Sequence, residues 1–236
     1  MQIIFLDTET TDLEPERRLV QLAYKIPSTG KTVNEYFKPA APISFGAMAV
    51  HHITSEMVAD KPAFIGSTYH AELAAELSDK IVVAHNAPFD LTVLKNEGII
   101  TENYIDTLRV ARHCFIAEQY TLQFLRYFLG LTVTAAAHDA LGDVLVLEAL
   151  FEYLKKAVAE KYGSQTEEGV QSKMIELTHT PTLLITINFG KYRGKMFEEV
   201  VRIDRAYLDW LRGSELQKSP AEQNEELVFT LNHFCK

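Results

Sequence analysis

Asp7, Glu9, Asp90, His138 and Asp143 lie in three short stretches of the chain: Phe5-Leu6-Asp7-Thr8-Glu9-Thr10-Thr11, Ala84-His85-Asn86-Ala87-Pro88-Phe89-Asp90 and His138-Asp139-Ala140-Leu141-Gly142-Asp143. Four carboxylates and an imidazole are the groups that metal-assisted hydrolysis of a nucleic-acid phosphodiester requires. Two divalent ions a few ångströms apart can activate a water, offset the charge building on phosphorus and balance the leaving oxygen. Such ions need several hard oxygen ligands converging on one point. Asp7 suits a bridging position. Glu9, two residues further along an extended chain, points to the same side and can complete one shell. Asp143 and Asp90 can add carboxylates from other directions. A general base must hold its proton near working pH, which suits His138 to deprotonate the attacking water.

Each residue alone has a plainer explanation. An Asp-x-Glu pair is common in turns and caps, an aspartate just inside a helix is favoured by the helix dipole, and a single histidine often sits satisfied at a core boundary. It is the combination that favours catalysis.

The elements that must hold these groups can be read from pattern. The apolar run Ile3-Ile4-Phe5-Leu6 predicts a buried strand whose C-terminal end carries Asp7 and Glu9, the end at which open α/β sheets place ligands. Strands are expected over residues 2–7, 18–26 and 31–38, the last two joined by the turn Pro27-Ser28-Thr29-Gly30, and again over Ile81-Val82-Val83-Ala84. Helical patterns cover 43–50 and 68–78. Pro88 and Gly98 bracket a helix from Phe89 to Glu97, and further helices are expected near 121–129 and 139–160. The fold class is therefore α/β, a mixed sheet flanked by helices.

Residues 163–180 are polar and interrupted, so a boundary is expected there, as a linker or as a connecting helix over 166–178. This divides the chain into a domain over 1–162 and a small C-terminal α+β domain over 181–236. In the latter, Leu183–Phe189 reads as a strand, Gly190–Gly194 as a basic turn and 197–212 as a helix. A final helix is expected to open at Ser219-Pro220-Ala221-Glu222, a capping box with proline in the first turn.

Composition excludes several classes. With 236 residues, 47% of them hydrophobic, the chain can build one large core and one small one. No stretch has the length of a membrane-spanning helix and no signal sequence opens the chain, so a cytoplasmic protein without a membrane partner is expected. Cys114 and Cys235 match no zinc spacing and read as small buried side chains. A net charge of −9 argues against a protein that coats nucleic acid. It is compatible with a nuclease of small footprint, because bound divalent ions reverse the local field.

The three stretches, in this order and with His138 five residues before Asp143, resemble the motifs of the DEDDh 3′-5′ exonucleases over residues 1 to about 160. Asp139 occupies the slot that the tyrosine-type variant would need. The segments Pro42-Ile43-Ser44, Ala47–His51, Ile53-Thr54 and Met57–Pro62 are similar to the exodeoxyribonuclease X family of bacteria. So are Phe189–Lys195 and Tyr207–Leu211, which extend the resemblance to nearly the whole chain. The resemblance implies an RNase H-like fold and an exonuclease that removes 5′-mononucleotides from DNA 3′ ends, single strands favoured, in repair or recombination. It implies two magnesium or manganese ions held by Asp7, Glu9, Asp90 and Asp143. Thr8, Thr10 and Leu13 would contact the terminal nucleotide, and His85 and Asn86 would shape the adjoining turn on the substrate side. Protein partners are not indicated.

The first motif departs from the family, which often has glycine where Asp12 stands. Aspartate tolerates a left-handed backbone, so the turn can survive. Its carboxylate could hinder the terminal nucleotide, bind metal weakly or cap the turn, and the last is favoured. Lys191, Arg193 and Lys195 alternate with Tyr192, a combination suited to phosphate contacts with a stacked base. A solvated hairpin tip with Tyr192 packed on its own domain fits equally well. Trp210, at helical spacing with Tyr207 and Leu211, is expected in the small core. Two other functions stay open. An exoribonuclease would use the same chemistry, since these motifs do not distinguish sugars. A nucleic-acid-binding adaptor on an inactive nuclease fold is disfavoured, because all five positions are filled.

Overall fold

A computed structural model describes residues 1–133, 140–164, 166–219 and 223–235. Five strands, β1 (Ile3–Thr10), β2 (Leu19–Ile26), β3 (Lys31–Tyr36), β4 (Ile81–Ala84) and β5 (Tyr104–Asp106), form one sheet in the order β3-β2-β1-β4-β5. β1, β2 and β3 pair antiparallel, whereas β4 runs parallel to both β1 and β5. Between and after the strands lie α1 (Phe45–His51), α2 (Thr68–Glu76), α3 (Ala87–Asn96), α4 (Thr107–Cys114), α5 (Leu122–Phe128), α6 (Ala140–Tyr162) and α7 (Glu167–Thr178).

Both faces of the sheet are covered, which is why its central strands are apolar without interruption. On one face Ile4, Leu6, Val82 and Ala84 pack with Leu73, Leu77, Val93 and Leu94 of the α2–α3 side. On the other, Phe5, Val83 and Ile105 pack with Val144, Leu147, Leu150 and Phe151 of α6. The rings of Phe5 and Phe151 meet edge to face at 5.4 Å. Strand β5 and helix α4 have no counterpart in the sequence reading. Three residues are too few to show an alternation, and α4 starts at a cap, with the Asp106 carboxylate accepting the Leu108 N–H at 3.0 Å.

Residues 167–178 form α7, whose apolar side, Val170, Met174 and Leu177, joins the α6 core. Its last residue accepts the Asp106 N–H on the Thr178 hydroxyl, 3.0 Å away. The helix therefore belongs to the first of two compact units, Met1–Thr178 and His179–Lys236.

The second unit encloses Ile187, Phe197, Val200, Leu208, Leu211, Leu227 and Leu231. The strand expected over 183–189 is reduced to an isolated antiparallel bridge, Thr186 with Met196. The helix expected over 197–212 is two, α8 (Phe197–Ile203) and α9 (Arg205–Leu216). Asp204 breaks it because its carboxylate has better use outside a helix, accepting the Tyr207 N–H, the Lys191 ammonium and the Tyr192 hydroxyl. The last helix, α10 (Glu225–Phe234), is capped by Asn224 rather than opening at Ser219; Pro220, Ala221 and Glu222 lie outside the described residues. Trp210 is 63% exposed instead of buried, since Leu208 and Leu211 take the core side of α9. Cys114 and Cys235 are free thiols. Among the described residues no helix is long and apolar enough to cross a membrane.

One ion pair ties the strands to α3. Glu97, buried at the end of that helix, accepts Arg18 Nε at 2.8 Å, Arg18 Nη2 at 2.9 Å and the Leu19 N–H at 3.1 Å. Removing it leaves a strand amide and a half-covered guanidinium without partners. Glu97→Ala should therefore lower unfolding stability by roughly 2–3 kcal/mol in urea denaturation. A change under about 0.5 kcal/mol would mean that water replaces the pair at no cost.

Candidate active site

The pleat of β1 sorts its side chains. Phe5, Asp7 and Glu9 point toward α6, while Leu6, Thr8 and Thr10 point the other way. Asp143, in the first turn of α6, meets the first set: one ligand oxygen each from Asp7, Glu9 and Asp143 lie within 4.8 Å of one another. Thr8 meets Asp90 in the first turn of α3, its hydroxyl donating to Asp90 Oδ1 at 2.7 Å. All four carboxylates line one cavity of about 370 Å³, bounded also by Asp12, Leu13, Val50, His51, His85, Asn86 and Phe89. His138 falls outside the described residues.

Three carboxylates at this separation repel, and a hard divalent cation is the natural neutraliser. Asp90 is in a different state. Burial pushes its pKa up to about 7, against the opposing pull of the Thr8 hydrogen bond, so near neutral pH it is poised between acid and carboxylate.

The turn before α3 is held by backbone geometry. Asn86 is left-handed, with φ +66°, and makes no side-chain cap. Its N–H instead donates to Asp106 Oδ1 at 2.9 Å, so Asp106 fixes both this turn and the start of α4. His85 sets its Nε2 against the Tyr120 carbonyl at 2.6 Å and its Nδ1 against the Thr107 hydroxyl at 2.9 Å. Burial lowers its pKa. Both ring nitrogens are thus engaged in architecture, although the residue borders the cavity. His51 and Asp106 are contributors that the sequence reading missed as site-shaping residues. Nδ1 of His51 accepts the Ile53 N–H at 3.0 Å, so Nε2 carries the proton and donates to the Thr10 carbonyl at 3.2 Å. Only the fold brings His51 to Thr10 and Asp106 to Asn86, and no spacing signals these pairs.

Asp12 caps its own turn. Its Oδ1 accepts the Leu13 N–H at 2.6 Å and its carbonyl accepts the Thr10 hydroxyl at 2.8 Å. Its backbone is not left-handed, so the glycine it replaces is not needed for conformation here. Leu13 stands 78% exposed at the cavity edge.

The remaining expected residues lie in the second unit. Lys191 pairs with Asp204 at 3.0 Å, and the Tyr192 hydroxyl donates to the same carboxylate at 2.7 Å. The Tyr192 ring meets Tyr207 edge to face at 5.0 Å, so it packs on its own unit. Arg193 and Lys195 are exposed.

Comparison with known proteins adds a second line of evidence. A family model described as Exonuclease matches residues 4–151, and one described as Exodeoxyribonuclease X-like C-terminal matches residues 187–212. The chain is 33% identical to Exodeoxyribonuclease 10 of Escherichia coli (strain K12), over 98% of this chain and 97% of that protein. It is 32% identical to DNA polymerase III subunit epsilon of Rickettsia prowazekii (strain Madrid E), over 63% of this chain and 71% of the relative. A solved structure of exonuclease X in complex with 5′ overhanging duplex DNA superposes with a TM-score of 0.56 and 28% identity, covering 75% of this chain and 99% of that one. The sheet with its flanking helices is accordingly RNase H-like.

The elevated pKa of Asp90 has a measurable sign. The folded state holds its proton more tightly than the unfolded chain, so the stability this group contributes is complete below the ordinary aspartate pKa and is lost as pH rises through about 7. In chelator, Asp90→Asn should melt above the wild type at pH 8, with the gap closing toward pH 4. A gap independent of pH would show that Asp90 is ionised in the metal-free protein throughout.

Proposed function

Because the chain belongs to the exonuclease family, we propose that it hydrolyses DNA phosphodiesters from the 3′ end and releases 5′-mononucleotides, with a role in repair or recombination. One observation carries the reading: Asp7, Glu9 and Asp143 converge within 4.8 Å in the cavity that Asp90 also lines. DNA as the substrate is supported by the relatives, one named an exodeoxyribonuclease over nearly its full length and one solved on duplex DNA.

Exonucleases of this family generally use divalent metal ions, and the donor set fits them, being made of hard carboxylate oxygens clustered without a soft ligand. We infer two magnesium or manganese ions, held by Asp7, Glu9, Asp143 and Asp90. When bound, they supply positive charge that acidifies a water and offsets the charge on the reacting phosphate. The protein's own groups do the rest. Thr8 orients the Asp90 carboxylate. His138 takes the proton of the attacking water. Leu13, Val50 and Phe89 form an apolar wall against which a terminal base can rest, with single strands favoured because an unpaired end enters without melting. Thr8 and Thr10 direct their hydroxyl protons at Asp90 and at the Asp12 carbonyl, and both line the cavity that would take the terminal nucleotide.

A time course with magnesium on 5′-labelled single-stranded DNA, duplex DNA and matched RNA tests this. DNA should shorten stepwise ahead of RNA. Asp7→Ala and Asp143→Ala should abolish the reaction, and His138→Ala should slow it on the order of 10²-fold or more, with loss of a pH dependence near the histidine pKa. Faster loss of RNA would make the enzyme an exoribonuclease, and no cleavage at all would make it an adaptor.

We also propose that the second unit contacts phosphates through Lys191, Arg193 and Lys195, with Tyr192 supporting that turn rather than stacking on a base. Each phosphate contact on a single strand contributes about 0.7 to the slope of log affinity against log salt. In an Asp7→Ala background, the Arg193→Ala/Lys195→Ala pair should therefore reduce that slope by about 1.4. An unchanged slope would remove the turn from the DNA path.

A further inference from the structure

We propose that Gln123 and Arg126 of α5 are positioning residues for Asp143, holding its carboxylate in the orientation a divalent cation needs. The inference rests on the metal-site reading above. The side-chain amide nitrogen of Gln123 donates to Asp143 Oδ1. Behind it, Arg126 Nη1 donates to Gln123 Oε1 at 3.3 Å, and Nη2 of the same guanidinium donates to the Val133 carbonyl.

The direction of this relay follows from its ends. An ionised carboxylate can only accept and a guanidinium can only donate, so the amide between them has one satisfactory orientation: nitrogen toward Asp143, oxygen toward Arg126. Arg126 thereby fixes the face that Gln123 presents. The identity of the intermediary matters as well. A lysine or arginine placed directly on Asp143 would orient the carboxylate but would also offset its charge and compete with a cation. A neutral amide orients it and leaves the charge in place. The contact engages Asp143 Oδ1, on the same carboxylate that contributes a ligand oxygen to the group formed with Asp7 and Glu9.

The platform is rigid enough to serve. Gln123 and Arg126 are three apart, hence neighbours on one face of α5. That helix is N-capped by Thr121 and is pinned through buried Leu125 into the core that contains Val144 and Leu147 of α6. Donor and acceptor helices therefore share one packed cluster, and Asp143 stays registered with the strand that carries Asp7 and Glu9.

Manganese binding, measured calorimetrically on the full chain without nucleic acid, tests the relay apart from turnover. Gln123→Ala should leave the melting temperature in chelator within about 1 °C of the wild type and weaken manganese binding about 10- to 100-fold, the range typical of a lost outer-shell partner. The metal concentration for half-maximal cleavage should rise in parallel, with KM for DNA unchanged. Gln123→Glu, of the same shape but charged, should fail to restore binding. Arg126→Met should weaken binding less than Gln123→Ala, and the double variant should match Gln123→Ala, since both act through one path. Manganese affinity unaffected by Gln123→Ala, or additive losses in the double variant, would overturn the relay while leaving the exonuclease reading intact. Absence of manganese binding by the wild type would overturn both.

Discussion

The whole site depends on the pleat of one strand. Because successive side chains of β1 alternate, the three residues Asp7, Thr8 and Glu9 serve two helices at once: the acids reach across to α6, and the hydroxyl between them reaches back to α3. A slip of one residue in the pairing of β1 with β2 or β4 would exchange these directions and bury carboxylates where Phe5 and Leu6 now sit. The apolar residues immediately upstream prevent this. Phe5 is committed to the α6 side and Ile4 and Leu6 to the α2–α3 side, each fully buried, so the hydrophobic register of the first half of the strand dictates the chemistry of the second.

The acids differ in how the fold treats them. Asp7, Glu9 and Asp143 are grouped at the open end of the sheet, where a cation can reach them. Asp90 is buried at the cavity wall, with burial opposing its ionisation and the Thr8 hydroxyl and the Thr8 and Asp90 backbone supporting it. A site built this way is not uniformly anionic: burial favours the neutral form of one of its four carboxyl groups.

Much of this was legible in the sequence, for physical reasons that also explain what was not. The strand formed by Ile3–Leu6 and its acidic end are written in adjacent residues, as are the Pro88 and Gly98 brackets of α3 and the length of α6. The three motifs, each local, therefore predict both the chemistry and the sheet that gathers it. Asp106 and His51 carry no such signal. Beyond the local bonds to Leu108 and Ile53, the partners that make them site-shaping, Asn86 for one and Thr10 for the other, are 20 and 41 residues away and meet them only in the fold. The α8–α9 break was hidden because Asp204 looks like any helical surface acid until Lys191 and Tyr192 arrive from the preceding turn. Trp210 misled because periodicity locates a stripe but not its edge.

Helix α7 carries a consequence for how such a chain can be recombined. Residues 163–180 look like a joint in composition, yet Val170, Met174 and Leu177 complete the core of the first unit, and Thr178 closes on β5. A fusion or domain exchange made at residue 162 would leave a greasy trough along α6 and α4, inviting aggregation that could be mistaken for a missing function of the C-terminal part. The seam at which either unit could be grafted onto another protein with its interior intact lies between Thr178 and His179.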